Sequence, residues 1–187
     1  METNYKIIKG AVNEQTLQLI KETLLMSKDV DYFLNSLSAD NRTAFGDSQS
    51  QVSYSSYGHH SNESLMKVLL PIVEEATGKK LLPTYTYSRI YWEGSTLEKH
   101  TDRPSCEYSV SLCVDHDGTP WPIFFDGNEL VLDKGDIVVY KGMVSEHWRE
   151  PYKGKQQIQI FMHYVDADGP HAEWSLDKRP MLGLVKR

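Results

Sequence analysis

The chain has 187 residues, 20 basic against 26 acidic, for a net charge of -6, which suits one well-buried core and is short for two, so a single domain over 1–187 is predicted. That acidic balance repels a phosphate backbone and sets nucleic acid aside as a partner. No run approaches the roughly 18 apolar residues of a membrane span, and the start METNYKIIKG lacks the apolar core of a signal peptide, so no membrane association and a cytoplasmic location are expected.

From Asn13 to Ser27, Leu17, Ile20 and Leu24 recur at helical spacing and predict an amphipathic helix with one buried stripe. Residues 36–61, SLSADNRTAFGDSQSQVSYSSYGHHS, are rich in Ser, Gly, Asn and Asp and hold no period. They read as a long loop, and loops of this length are commonly functional, so the segment with Tyr54 and Tyr57 is the lid candidate. A second helix is predicted from near Asn62, with Leu65, Val68, Ile72, Val73 and Ala76 in phase, Gly78 as its stop, and Pro71 implying a kink or break.

After Leu82 the texture changes to alternation: TYTYSRIYW, EYSVSLCVD, PIFFDG, ELVL, DIVVY and QQIQIFMHYVD are separated by Gly, Pro, Asp and Asn. Helices first and strands after, without βαβ alternation, predict a mainly β, α+β chain: an antiparallel barrel or sandwich with helices packed on one outer face. The boundaries read as helical support over 1–80, a β core over 82–166 and a tail over 167–187, where Trp174 and Leu176 are candidates to cap the barrel. Cys106 and Cys113 are too few for a disulfide framework and read as free thiols.

The stretch EKHTDRPSCEYSVSLCVD sets His100 and Asp102 two positions apart. In a strand, such residues share a face, so the pair is either a surface ion pair or two thirds of a metal site. The third candidate is His147, at the end of GDIVVYKGMVSEH. Two histidines and one carboxylate on one face of an octahedron leave the other face open, the arrangement of non-haem Fe(II) oxygenases.

Taken in order, YWEGSTLEKHTD, YSVSLCVD, LDKGDIVVYKG, His147 with WREP, and QIQIFMHYVD resemble the double-stranded β-helix (jelly-roll) core of the iron- and 2-oxoglutarate-dependent dioxygenases, closest to the prolyl-4-hydroxylase-like group, over Tyr85 to Asp166. The resemblance implies His100, Asp102 and His147 as catalytic iron ligands, with Fe(II), 2-oxoglutarate and O2 as cofactor and co-substrates. It matches Tyr91 to a tyrosine that contacts the co-substrate, an ordinary inward aromatic being the alternative.

Members of that family usually carry a cation on the last strand, and here the position falls on Gln157. With Ile158, Ile160 and Met162 facing the helices, Lys155, Gln157, Gln159, Phe161 and His163 face inward. A buried dicarboxylate needs a cation, so Lys155 or Arg89 is the expected replacement, while Arg103 and Arg149, also near ligands, are read as orienting Asp102 or a substrate. Ser111, on the inward face of its strand with Ser109 and Cys113, and Gln159 are the polar groups expected to bond the bound acid. The implied reaction hydroxylates an unactivated C–H bond of a prolyl, other peptidyl or small-molecule substrate, releasing succinate and CO2. The alternative from another class is a non-catalytic or sugar-binding cupin-like module.

Overall fold

The computed structural model describes residues 3–37 and 46–184. The strands expected after Leu82 are present, and β3 (Leu81–Trp92), β5 (Tyr108–His116), β8 (Ile137–Tyr140) and β10 (Gln156–Asp166) pair antiparallel. Two strands that alternation did not reveal complete their sheet. β1 (Tyr5–Ile8) adds to β8 at one edge and β2 (Ser53–Tyr57) to β3 at the other, giving the order β1-β8-β5-β10-β3-β2. A second, smaller antiparallel sheet runs β4 (Leu97–His100), β9 (His147–Arg149), β6 (Ile123–Phe125) and β7 (Asn128–Leu130).

The expected loop over 36–61 is therefore not one loop. Ser53–Tyr57, sequence SYSSY, is an edge strand whose serines hide it from a reading based on apolar alternation. Tyr54 is buried in the helix-side core with its hydroxyl donated to Asp31 at 2.5 Å, which rules it out of a lid. Residues 38–45 of the lid candidate lie outside the described residues.

α1 (Glu14–Ser36) starts where Asn13 Oδ1 accepts the Thr16 N–H at 2.9 Å and continues well past Ser27. α2 (His60–Thr77) runs through Pro71 without a break and ends at Gly78, whose φ of 70° is the left-handed conformation that closes helices. Leu17, Ile20 and Leu24 of α1 and Leu65, Met66, Leu69 and Val73 of α2 share a continuous core with Ile90 of β3, Val110 and Leu112 of β5, and Ile158, Ile160 and Met162 of β10. Each such side chain contributes about 1.5–3 kcal/mol by leaving water. The period of two then sends Gln157, Gln159, Phe161 and His163 to the other face of β10, all of them buried.

Trp174 and Leu176, the residues expected to cap the barrel, are both half-exposed. A short 3-10 segment (Ala172–Lys178) instead lies against β3, with Leu176, Asp177 and Lys178 in left-handed backbone at φ 55°, 53° and 61°. It delivers the fully buried Asp177 carboxylate to Tyr57 Oη at 2.6 Å and Arg103 Nη2 at 3.1 Å. Arg179 anchors the segment through a buried pair with Glu63 of α2 at 2.6 Å. No helix among the described residues is long and apolar enough to cross a membrane.

Candidate metal and co-substrate site

β4 and β9 are cross-strand neighbours in the smaller sheet, with His100 opposite His147, so one imidazole from each reaches the same space. The rings lie 4.3 Å apart, centroid to centroid. His100 donates its Nδ1–H to the Glu98 carbonyl at 2.6 Å and His147 donates its own to the Ser145 carbonyl at 2.9 Å. A carbonyl only accepts, so both rings are fixed as the tautomer whose Nε2 lone pair is free. Those Nε2 atoms stand 3.6 Å and 3.8 Å from one oxygen, Asp102 Oδ1. One donor atom from each of the three residues lies within 4.8 Å of the others. Burial pulls the His147 pKa below its ordinary value, which keeps the ring in the neutral, metal-binding form.

Asp102 arrives by a different route from strand alternation. β4 ends at His100, and Asp102 is held just beyond it by its own N–H, donated to the Gly142 carbonyl at 2.8 Å. Its second oxygen, Oδ2, accepts from Ser109 Oγ at 3.0 Å, which leaves Oδ1 turned to the histidines. Gly142 is required here: a Cβ would meet Asp102 Oδ2, the Cys106 carbonyl and Ser109 Oγ. His163, ambiguous in the sequence, bonds Ser109 Oγ through Nδ1 at 2.8 Å, and its burial pushes its pKa down to about 4. Both cysteines are buried free thiols.

The three donors line a cavity of about 470 Å³. Tyr57, Tyr85 and Tyr87 form its aromatic wall, with Tyr57 stacked on Tyr85 at 5.1 Å, and Asp47, Ser48 and Gln49 close one side. Those last three come from the stretch the sequence assigned to a loop.

No protein-family model matches the sequence, and no curated protein matches it. Solved structures do resemble it. The viral collagen prolyl hydroxylase vCPH of Paramecium bursaria Chlorella virus-1, in its 2OG complex, matches with a TM-score of 0.62 at 12% identity over 87% of this chain and 96% of that one. HygX of Streptomyces hygroscopicus, with nickel and 2-oxoglutarate bound, matches with 0.62 at 10% identity over 89% and 84%. The non-heme alpha-ketoglutarate-dependent carbocyclase SnoK of nogalamycin biosynthesis matches with 0.66 at 12% identity over 89% and 81%. This chain has the fold of the iron- and 2-oxoglutarate-dependent dioxygenases. It is prolyl-4-hydroxylase-like in architecture, and at these identities the likeness is one of fold.

Set in this dioxygenase fold, the expected co-substrate residues separate. Lys155 precedes β10 and is exposed, with its backbone N–H given to Asp117 Oδ2 at 2.5 Å, so the expectation that it faces inward fails. The chain has not yet entered the strand there, and the alternation does not extend to it. Arg89 does line the cavity, but its charge is already met: Asp47 lies 2.8 Å from Nη2 and Gln49 Oε1 accepts from the same nitrogen at 3.0 Å. Ser111 Oγ donates to Gln159 Oε1 at 3.2 Å, and both side chains are fully buried.

Tyr91, Gln159 and Arg149 are buried and are not among the residues that line the cavity. The Tyr91 hydroxyl, the Gln159 Nε2 amide and the Arg149 Nε are buried without a hydrogen-bond partner among the described residues. Tyr91 meets the Trp121 ring edge-on at 4.8 Å, and the Arg149 guanidinium lies over that same ring at 4.6 Å. Arg149 shares β9 with His147, two residues on. The sequence put it near the ligands but gave no sign that it is the buried cation lacking a carboxylate.

Proposed function

We propose that this protein is an Fe(II)- and 2-oxoglutarate-dependent dioxygenase that hydroxylates an unactivated C–H bond. The observation that carries the reading is the convergence of two Nε2 lone pairs, each tautomer fixed by a backbone carbonyl, on Asp102 Oδ1 inside a cavity of this fold. Two neutral imidazoles and a carboxylate suit ferrous iron and leave positions open for the co-substrates. Buried donors without a partner on the strands that also line the cavity, Tyr91 Oη of β3, Arg149 Nε of β9 and Gln159 Nε2 of β10, suit an acid. In this reading the two sheets are the halves of a double-stranded β-helix, with α1 and α2 on the outer face of the larger.

Iron bound by His100, Asp102 and His147, together with 2-oxoglutarate and O2, supplies the oxidising chemistry, with succinate and CO2 as the other products. The chain's own work is orientation and shelter. Ser109 and the backbone of Gly142 hold Asp102 in place. Phe125 and Tyr140 pack against the His147 ring at 5.5 Å and 5.0 Å and fix its plane. The tyrosine wall of the cavity suits a flat or ring-bearing group such as a prolyl side chain, presented on a peptide or carried by a small molecule.

The test is succinate and CO2 release from 2-oxoglutarate with Fe(II), with and without proline-containing peptides. His100→Ala and Asp102→Ala are expected to abolish it. Turnover that persists in both variants, or in protein stripped of iron, would overturn the reading.

A further inference from the structure

A second group of donors lines the same cavity beside the first. Asp102, Cys106 and His163 each offer one ligand atom within 4.8 Å of the other two, and all three residues line the cavity wall. They come from three places in the chain: the stretch just past β4, the 3-10 turn Pro104–Cys106 and the inward face of β10. Cys106 is 1% exposed, and its thiol meets Tyr85 Oη at 3.1 Å.

Ser109 sets the state of the histidine. Its Oγ lies 3.0 Å from Asp102 Oδ2, 3.2 Å from the Cys106 carbonyl and 2.8 Å from His163 Nδ1. A hydroxyl has one proton, and a carboxylate and a carbonyl only accept, so that proton goes to one of those two oxygens. His163 Nδ1 is then the donor in its own bond to Ser109, and the buried neutral ring keeps its lone pair on Nε2.

Sulfur separates this group from the first. His100, Asp102 and His147 offer two nitrogens and an oxygen, a set that Mn(II) accepts, whereas a thiolate favours Zn(II) and Cd(II). Zinc bonds of about 2.0–2.3 Å put neighbouring donors about 3.3–3.8 Å apart, so this group closes on one ion by moving roughly 1 Å. The thiol proton leaves to solvent as the metal–sulfur bond forms. Three protein donors leave a fourth tetrahedral position for water.

We propose that Asp102, Cys106 and His163 form a second metal site, selective for thiolate-seeking divalent cations, which shares Asp102 with the first site and opposes its occupation. Two dications on one carboxylate repel. A metal drawn to Asp102 Oδ2 also displaces the Ser109 bond that turns Oδ1 to the histidines. The second site stands on its own donors, and only the antagonism rests on the metal centre of the proposed dioxygenase reading.

The experiment uses the full chain, reduced and metal-free, titrated with Cd(II) and Co(II). Thiolate-to-metal charge-transfer absorption is the readout, a signal that a site of nitrogen and oxygen donors does not give. Wild type and the double variant His100→Ala with His147→Ala are both expected to show the band, with one thiolate-bound ion per chain. In the double-histidine background, Cys106→Ser should remove the band and weaken Cd(II) binding by more than about 100-fold, and His163→Ala should weaken it by about 10–100-fold. Cys113→Ser should leave the band unchanged. Should Cys106→Ser fail to fold, Cys106→Ala carries the test. At a free Cd(II) concentration that saturates the band, Mn(II) affinity should fall at least about 10-fold further in wild type than in Cys106→Ser. A band absent from wild type, persisting without Cys106, lost in Cys113→Ser or indifferent to His163→Ala overturns the site. Equal loss of Mn(II) affinity in wild type and Cys106→Ser overturns the antagonism. Wild type that shows the Cys106-dependent band but binds no Mn(II) instead overturns the first metal reading and leaves the second site standing.

Discussion

The two faces of β10 carry the same backbone into opposite company. On one side Ile158, Ile160 and Met162, all fully buried, pack into the core shared with α1 and α2. On the other, Gln159 leaves Nε2 unpaired and His163 is held neutral by burial beside Ser109. The first face has satisfied every demand of folding. The second keeps demands open, and open demands in a buried place are what a ligand can meet. Stability and chemistry are thus separated by one residue of register, and substitutions should report that separation.

The largest effect is expected at Asp102, the carboxylate common to both histidines. Asp102→Ala should lower Mn(II) or Fe(II) affinity by more than about 100-fold, beyond the loss that follows removal of an outer partner. Melting temperature should barely move, because no helix-side packing is touched. Metal titration beside a thermal scan checks both halves. A variant that binds metal normally would remove Asp102 from the site.

The converse is Ile160→Ala. Deleting a fully buried side chain on the helix face should cost about 2–5 kcal/mol of stability. Metal affinity should stay within about twofold, since additivity holds for separated sites. Urea unfolding with Mn(II) titration separates the outcomes, and coupled losses would mean that the two faces do not act independently.

How much of this was legible in the chain follows the same division. The helix-side face could be read because apolar alternation in QQIQIFMHYVD and helical spacing in α1 are signals of burial alone. His100 and His147 could be picked out by residue type, but the place of Asp102 could not. It sits past the end of β4 and is fixed by Gly142, forty residues away, through a backbone bond that leaves no periodic trace. β2 escaped notice because its serines lie at a sheet edge where no apolar pattern is demanded. Arg149 was visible as a cation near ligands, yet what sets it apart from Arg89 is the absence of a partner in space, which only folding decides.

Gly142→Ala tests the less legible half. The added methyl would press on Asp102 Oδ2, the Cys106 carbonyl and Ser109 Oγ, so the carboxylate must shift. An expected loss of about 10–100-fold in metal affinity, comparable to that of an outer-shell partner, would show in Mn(II) titration. Ser109→Ala, which removes the bond to Asp102 Oδ2, belongs at the lower end of that range.

The smallest effect lies at Asp136, at the turn into β8, where the carboxylate serves folding alone. Burial pushes its pKa upward, but bonds from Lys9 Nζ at 2.7 Å, Gly10 N–H at 3.0 Å and Asp133 N–H at 2.9 Å outweigh that and hold it below the ordinary 3.8. A carboxyl depressed in the folded state binds its proton less readily than in the unfolded chain. The stability it contributes is therefore complete above pH 3.8 and is lost as pH falls through the folded-state value. Asp136→Asn should cost about 1 kcal/mol at neutral pH, a modest figure because Lys9 is solvent-exposed. The gap between variant and wild type should close in urea titrations carried below pH 3.8. At neutral pH its Mn(II) affinity should match wild type, since Asp136 faces Lys9 and the β1 turn and makes no bond to His100, Asp102 or His147. A gap that persists into acid would mean that the carboxylate's shape, and not its charge, holds the turn.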